Sequence, residues 1–181
     1  MPGLAGRVQR NNHIGTIRTW GPQYWVTFQL IVHRPRQGWT TVLAFRAEQS
    51  EDNYGHRTPL VNLHKRGARH VLHFGNTVNK NPDHTFDYQV QLSRWYTVVI
   101  QEISMNGKVR RRGEIKTSDM GTFHQVYFII EIDGKEVHKI ENRNATKTFR
   151  DVQVYAGDSH ISAGDASYKN LFWENLSETY L

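Results

Sequence analysis

The chain has 181 residues, enough for one domain with a substantial core, and its 23 Lys and Arg against 17 Asp and Glu give a net charge of +6. That balance favours polyanionic partners such as acidic glycan, nucleic acid, anionic lipid or a mineral surface. With no cysteine in the sequence, disulfides, Cys-ligated zinc and thiol nucleophiles are excluded, and no run of about 18 apolar residues offers a membrane-inserting helix.

Residues 1–12 read as a flexible N-terminal arm ahead of a single domain over 13–181. Met1 to Arg7 lack the apolar stretch of a secretory signal. From His13 the pattern turns to β, and Trp20-Gly21-Pro22 breaks it. Tyr24 to Val32 then alternates Tyr24, Val26, Phe28, Leu30 and Val32 on one face, the period of a half-buried strand. A basic turn, His33 to Gly38, leads to a strand from Trp39 to Arg46 with Trp39, Thr41, Leu43 and Phe45 on one side. Glu48 to Pro59 is polar and turn-rich and reads as a surface loop.

Leu60 to His64 and His70 to Phe74 are short strands joined by Lys65 to Arg69, and a hairpin there brings His64, His70 and His73 near one another. The ten histidines show no metal-ligand spacing, and surface or satisfied positions are the expected reading. Gly75 to Asp83 is a polar connection. Phe86, Tyr88 and Val90 mark the next strand, and Arg94 to Ile100 another. Asn106 to Gly121, which contains Arg110-Arg111-Arg112, carries no apolar period and reads as a long exposed excursion of the kind that often carries function.

The densest β-forming run is Gln125 to Asn142. Val126, Phe128, Ile130 and Ile132 share one face, so Val126 to Ile132 is expected as a central strand, and Asp133-Gly134 marks a two-residue hairpin turn. Phe149 to Tyr155 and Tyr168 to Leu176 supply the last strands. About ten strand candidates without a convincing helix indicate an all-β fold, a two-sheet antiparallel β-sandwich or jelly roll.

Four segments carry a family resemblance: Leu92 to Ile100 led by Trp95, Val126 to Val137 with its Asp133-Gly134 turn, Phe149 to Asp158 ending Val-Tyr-Ala-Gly-Asp, and Tyr168-Lys-Asn-Leu-Phe172. Over residues 90 to 176 the chain resembles the concanavalin A-like jelly roll of laminin G-like and pentraxin-like modules. The resemblance implies an extracellular or secreted module that binds glycans or glycosaminoglycans in the manner of a lectin, often with calcium at the rim, and in many members without enzymatic activity.

The basic residues Arg34, Arg36, Lys65, Arg66, Arg69, Arg110, Arg111 and Arg112 all fall in expected loops. There they could converge on one rim and hold an acidic or sulfated glycan, aided by Tyr54, or simply solvate separate turns. Asp158 and Asp165, or Glu51 with Asp52 and Asn53, are acidic enough to be considered for calcium, although turn formation explains them as well. Glu131, Asp133 and Glu136 reproduce the E-x-D-x-x-E spacing of a clan of β-glucan hydrolases that shares this fold, but Gly134 and Lys135 stand where the catalytic strand would continue.

The leading expectation is a non-enzymatic recognition module for an anionic glycan or other polyanion. The alternatives are a β-glucan hydrolase using those three acids and a self-associating matrix or mineral-associated protein. Nucleic acid is disfavoured, because no recognisable nucleic-acid module accompanies the charge.

Overall fold

The computed structural model describes residues 3–34, 38–47, 58–107, 123–157 and 165–176. They form twelve strands: β1 (Leu4–Arg7), β2 (His13–Trp20), β3 (Tyr24–Arg34), β4 (Trp39–Arg46), β5 (Leu60–Arg66), β6 (Arg69–Val78), β7 (Asn81–Val90), β8 (Trp95–Gly107), β9 (Phe123–Ile132), β10 (Lys135–Glu141), β11 (Phe149–Tyr155) and β12 (Asp165–Asn175). Sheet A runs β1-β12-β3-β8-β9-β10 and sheet B runs β2-β11-β4-β5-β6-β7. Every neighbouring pair is antiparallel. The architecture is the two-sheet jelly roll expected from the strand pattern. Among the described residues no helix is long and apolar enough to cross a membrane.

Period-2 alternation builds the core. Tyr24, Val26, Phe28, Leu30 and Val32 of β3 all point between the sheets, as the sequence predicts, and face Leu43, Phe45, Val61, Leu63, Leu72 and Phe74 of sheet B. Each of these larger apolar side chains contributes roughly 1.5–3 kcal/mol on burial. Trp20, which sequence alone assigns to a break, is fully buried. Its ring stacks on Tyr24 and Phe45, and its Nε1–H donates to the Thr58 carbonyl at 2.9 Å.

Three expectations are corrected. Strand β9 is not central: it lies one strand from the edge of sheet A, while β3 and β8 occupy the middle. Nor is the amino-terminal segment wholly an arm. Leu4–Arg7 pairs with β12, Val8 is buried, and Val8 and Gln9 donate their N–H groups to the Ala166 and Ala156 carbonyls. The polar stretch Gly75 to Asp83 is also mostly strand. It turns tightly at Asn79-Lys80, both with positive φ, where Asn tolerates the left-handed region.

Candidate functional site

The outer face of sheet B gathers polar and aromatic side chains that a soluble sheet would ordinarily leave dispersed. Along β5, Val61 and Leu63 enter the core, so Asn62 and His64 point outward. The register sets Thr41, Asn62, His73 and Asp87 in one row across β4 to β7, with Trp39, His64, Val71 and Gln89 in the next. A bulge between Thr41 and Leu43 makes this possible. Strict alternation would put Trp39, Thr41, Leu43 and Phe45 on one side; the extra residue, Val42, reverses the sense, so Trp39 and Thr41 face outward while Leu43 and Phe45 pack inside.

Trp39 is 44% exposed although its neighbours are largely covered. Its ring stacks on His64 at 4.3 Å between centroids and meets His73 edge-on at 4.7 Å. His73 Nδ1 lies 2.6 Å from Asp87 Oδ1, and Arg66 Nη1 donates to Asp87 Oδ2 at 3.4 Å. The carboxylate therefore fixes the His73 ring with its Nε2 directed away. Thr41 Oγ1, Asn62 Oδ1 and His64 Nδ1 are buried without a hydrogen-bond partner among the described residues. Leaving such groups unpaired costs about 1–3 kcal/mol each, so a cluster of them on one face calls for an explanation beyond packing.

The predicted basic residues divide. Lys65, Arg66 and Arg69 flank the Gly67-Ala68 turn between β5 and β6, exposed, at the end of the sandwich where β4 begins with Trp39. Arg34 closes β3 at the same end and is also exposed. Arg36, Tyr54, Arg110, Arg111, Arg112 and Asp158 lie outside the described residues, as do Glu51, Asp52 and Asn53. Gly107 and Phe123, the strand ends that flank residues 108–122, pair at the opposite end of the sandwich from Arg66 and Arg69. Of the predicted basic residues, the described ones, Arg34, Lys65, Arg66 and Arg69, thus share one end of the sandwich. Asp165 pairs with Arg7 at 3.4 Å. Among the described residues no group of three or more His, Cys, Asp or Glu could hold a metal ion.

The acidic spacing becomes a hairpin. Ile132 pairs with Lys135 around a two-residue turn in which Asp133 and Gly134 both have positive φ, the backbone that the Asp-Gly pair predicts. Asp133 accepts the Thr97 N–H at 2.9 Å and Arg94 Nη2 at 2.7 Å, so its carboxylate braces the turn. Glu131 and Glu136 stand on different strands.

A second polar cluster lies between the sheets at the other end, around a recess lined in part by Tyr24, Thr58, Asn76, Glu102, Asn142 and Lys147. Glu102 is 4% exposed and accepts Asn142 Nδ2 at 2.5 Å and Asn76 Nδ2 at 3.2 Å. Burial pushes its carboxyl up to about 7, against the lowering effect of the two amides. Tyr24 is raised well above the usual phenol value, first by burial and then by the charge of Glu102.

Sequence reasoning missed Trp39, Asn62, His73 and Asp87 as members of one site. The available signal was the possible approach of His64 and His73 across a hairpin; the bulge that turns Trp39 toward them leaves no mark in the pattern.

No protein-family model matches the sequence, and no curated protein does. Solved structures match over most of its length. A mutant of alginate lyase Aly36B in complex with alginate trisaccharide superposes with a TM-score of 0.55 at 12% identity, covering 95% of this chain and 81% of that one. A heptameric SAP-like pentraxin from Limulus polyphemus gives 0.53 at 11% identity, covering 89% and 67%. An alginate lyase from Pseudomonas aeruginosa gives 0.50 at 12%, covering 87% and 68%. At these identities the likeness establishes the fold.

Proposed function

We propose that this protein is an extracellular carbohydrate-binding module that holds an acidic polysaccharide across the outer face of sheet B. The observation that carries the reading is the exposed Trp39 ring, backed by His64 and His73 and set beside the exposed cations Lys65, Arg66 and Arg69. An aromatic platform packs against the apolar face of a sugar ring, and nearby cations hold its carboxylate or sulfate. The alginate lyase names and the bound alginate trisaccharide among the similar structures support a carbohydrate ligand of acidic type. The test is binding of alginate and of heparin at graded salt. Measurable affinity at low ionic strength that weakens as salt rises is expected, and absence of binding to either at low salt overturns the reading.

A second reading has its own observation. The His73–Asp87 pair at 2.6 Å, with Asn62 beside His73 across the β5–β6 register, has the parts for elimination at a uronate. His73 Nε2 would take the proton from the carbon next to the carboxylate and Asn62 would hold that carboxylate, while the bond to the glycosidic oxygen breaks, a carbon–carbon double bond forms and solvent protonates the leaving oxygen. Growth of ultraviolet absorbance from an unsaturated uronate during incubation with alginate, lost in His73→Ala, would move the assignment from binding to cleavage. Flat absorbance alongside retained binding removes this second reading and keeps the first.

A further inference from the structure

Among the described residues sheet B ends at β7 and sheet A ends at β10, and no strand ladder joins these two edges. Side chains close the seam. At one end Asn79 Nδ2 donates to the Glu141 carbonyl at 2.8 Å, Asn79 Oδ1 accepts the Arg143 N–H at 2.8 Å, and Asn142 Oδ1 accepts the Asn79 N–H at 2.9 Å. Farther along, His84 of β7 and His138 of β10 meet with their Nε2 atoms 3.0 Å apart.

The ring centroids of the pair are 5.2 Å apart, so nitrogens 3.0 Å apart face each other almost end to end. That arrangement admits one proton between them: one imidazole donates and the other accepts. Phe86 stacks on His138 at 4.7 Å, and Phe128 packs edge-on against both imidazoles at 6.2 and 6.1 Å, which fixes the rings and keeps water from one side. By strand parity the titratable groups that face inward from the packed strands are Tyr88 on β7, His70 on β6, and Tyr96 and Glu102 on β8. Asp83 and Asp87 on β7, His73 on β6, Glu131 on β9 and Glu136, Lys139 and Glu141 on β10 alternate to the outer faces. Burial holds His84 below the usual imidazole value, and burial followed by the neighbouring His84 does the same for His138.

We propose that His84 and His138 form a proton-gated clasp on the open seam of the sandwich: a single proton between the two Nε2 atoms ties the edge strands together, and protonation of both imidazoles releases them. With both rings charged, two N–H groups point at each other and no lone pair remains to accept either. The seam then parts from the imidazoles outward, while the Asn79 bonds stay as the hinge. Release bares Phe86, Phe128 and Ile140, which gives the module an apolar edge under mildly acidic conditions.

Amide hydrogen exchange, corrected for intrinsic rates, tests the clasp. Relative to the core strands β3 and β8, the amides of β7 and β10 are expected to exchange about tenfold faster near pH 5 than near pH 7.5, the ratio produced by roughly one pH unit of differential proton affinity. His138→Gln keeps a hydrogen-bonding side chain that cannot charge and should remove most of that ratio; His84→Gln serves equally if the first variant fails to fold. Nitrogen-15 shifts of both imidazoles should show titration below the free value. A wild-type ratio that does not change with pH, or one that persists undiminished in the glutamine variants, overturns the proposal.

Discussion

Glu131 and Glu136 lie directly opposite each other across the β9–β10 hairpin, both on the outer face of sheet A. Gln101 Nε2 donates to Glu131 at 3.1 Å, and Lys139 Nζ is 4.0 Å from Glu136. The E-x-D-x-x-E spacing is therefore two strands and a turn, as the Asp133-Gly134 pair predicts, with the middle acid, Asp133, already held by Arg94 and Thr97.

Stability should separate these acids. Asp133→Ala removes the acceptor for the Thr97 N–H and for Arg94 and places an alanine at a φ of 53°. The expected cost is about 1–3 kcal/mol in urea unfolding. Glu136→Gln removes one of two opposed like charges and a loose ion pair, and should change stability by no more than about 0.5 kcal/mol in either direction. Equal losses from the two variants would contradict the turn-bracing role of Asp133.

Gly157 anchors the amino-terminal segment. Its φ is +97°, and a Cβ there would collide with the backbone of Gln9, whose N–H donates to the Ala156 carbonyl at 3.0 Å. Gly157→Ala should cost more than about 2 kcal/mol, because both the left-handed backbone and the close approach oppose it. The measurement is the denaturant midpoint, with proteolysis near Gln9 as a local readout; an unchanged midpoint and cleavage rate would mean that residues 8–12 are not bolted to β11.

Glu102 should make stability fall with rising pH. Its folded-state value, about 7, is above the ordinary 4.5, so the folded chain binds the more protons between those values. Its contribution is fully present below pH 4.5 and is lost as pH rises through 7, a difference of roughly 3 kcal/mol at most. Glu102→Gln should flatten that decline when unfolding free energy is followed across the window. The His84–His138 pair acts with the opposite sign, since lowered imidazole values give stability that is present above 6.5 and lost as pH falls. A variant curve as steep as the wild-type one would show that Glu102 is not the group responsible.

Much of the fold is legible in the sequence because period-2 alternation maps directly onto burial. Tyr24 to Val32 and Phe128 to Ile132 point where their spacing says, and the Asp133-Gly134 turn follows from the backbone freedom of its residues. The site is less legible because a single bulged residue, Val42, reverses the alternation of β4 and carries Trp39 from the expected core side to the outer face. Pairing across β4 to β7 then joins residues far apart in the chain, such as Thr41 and Asp87, and no local pattern announces that. Position in the sheet is hidden for the same reason: the apolar density of β9 suggests a central strand, yet Ile129 is buried on the outer face one strand from the edge.

The most direct test of the account is a calorimetric titration of alginate and heparin oligosaccharides into wild type, Trp39→Ala and Trp95→Ala. The two tryptophans are comparably exposed, at 44% and 40%, but they stand on opposite sheets. If the outer face of sheet B is the binding surface, Trp39→Ala weakens affinity by about tenfold or more, equivalent to roughly 1.4 kcal/mol, while Trp95→Ala leaves it unchanged. Unaltered binding in Trp39→Ala, or loss confined to Trp95→Ala, would contradict it.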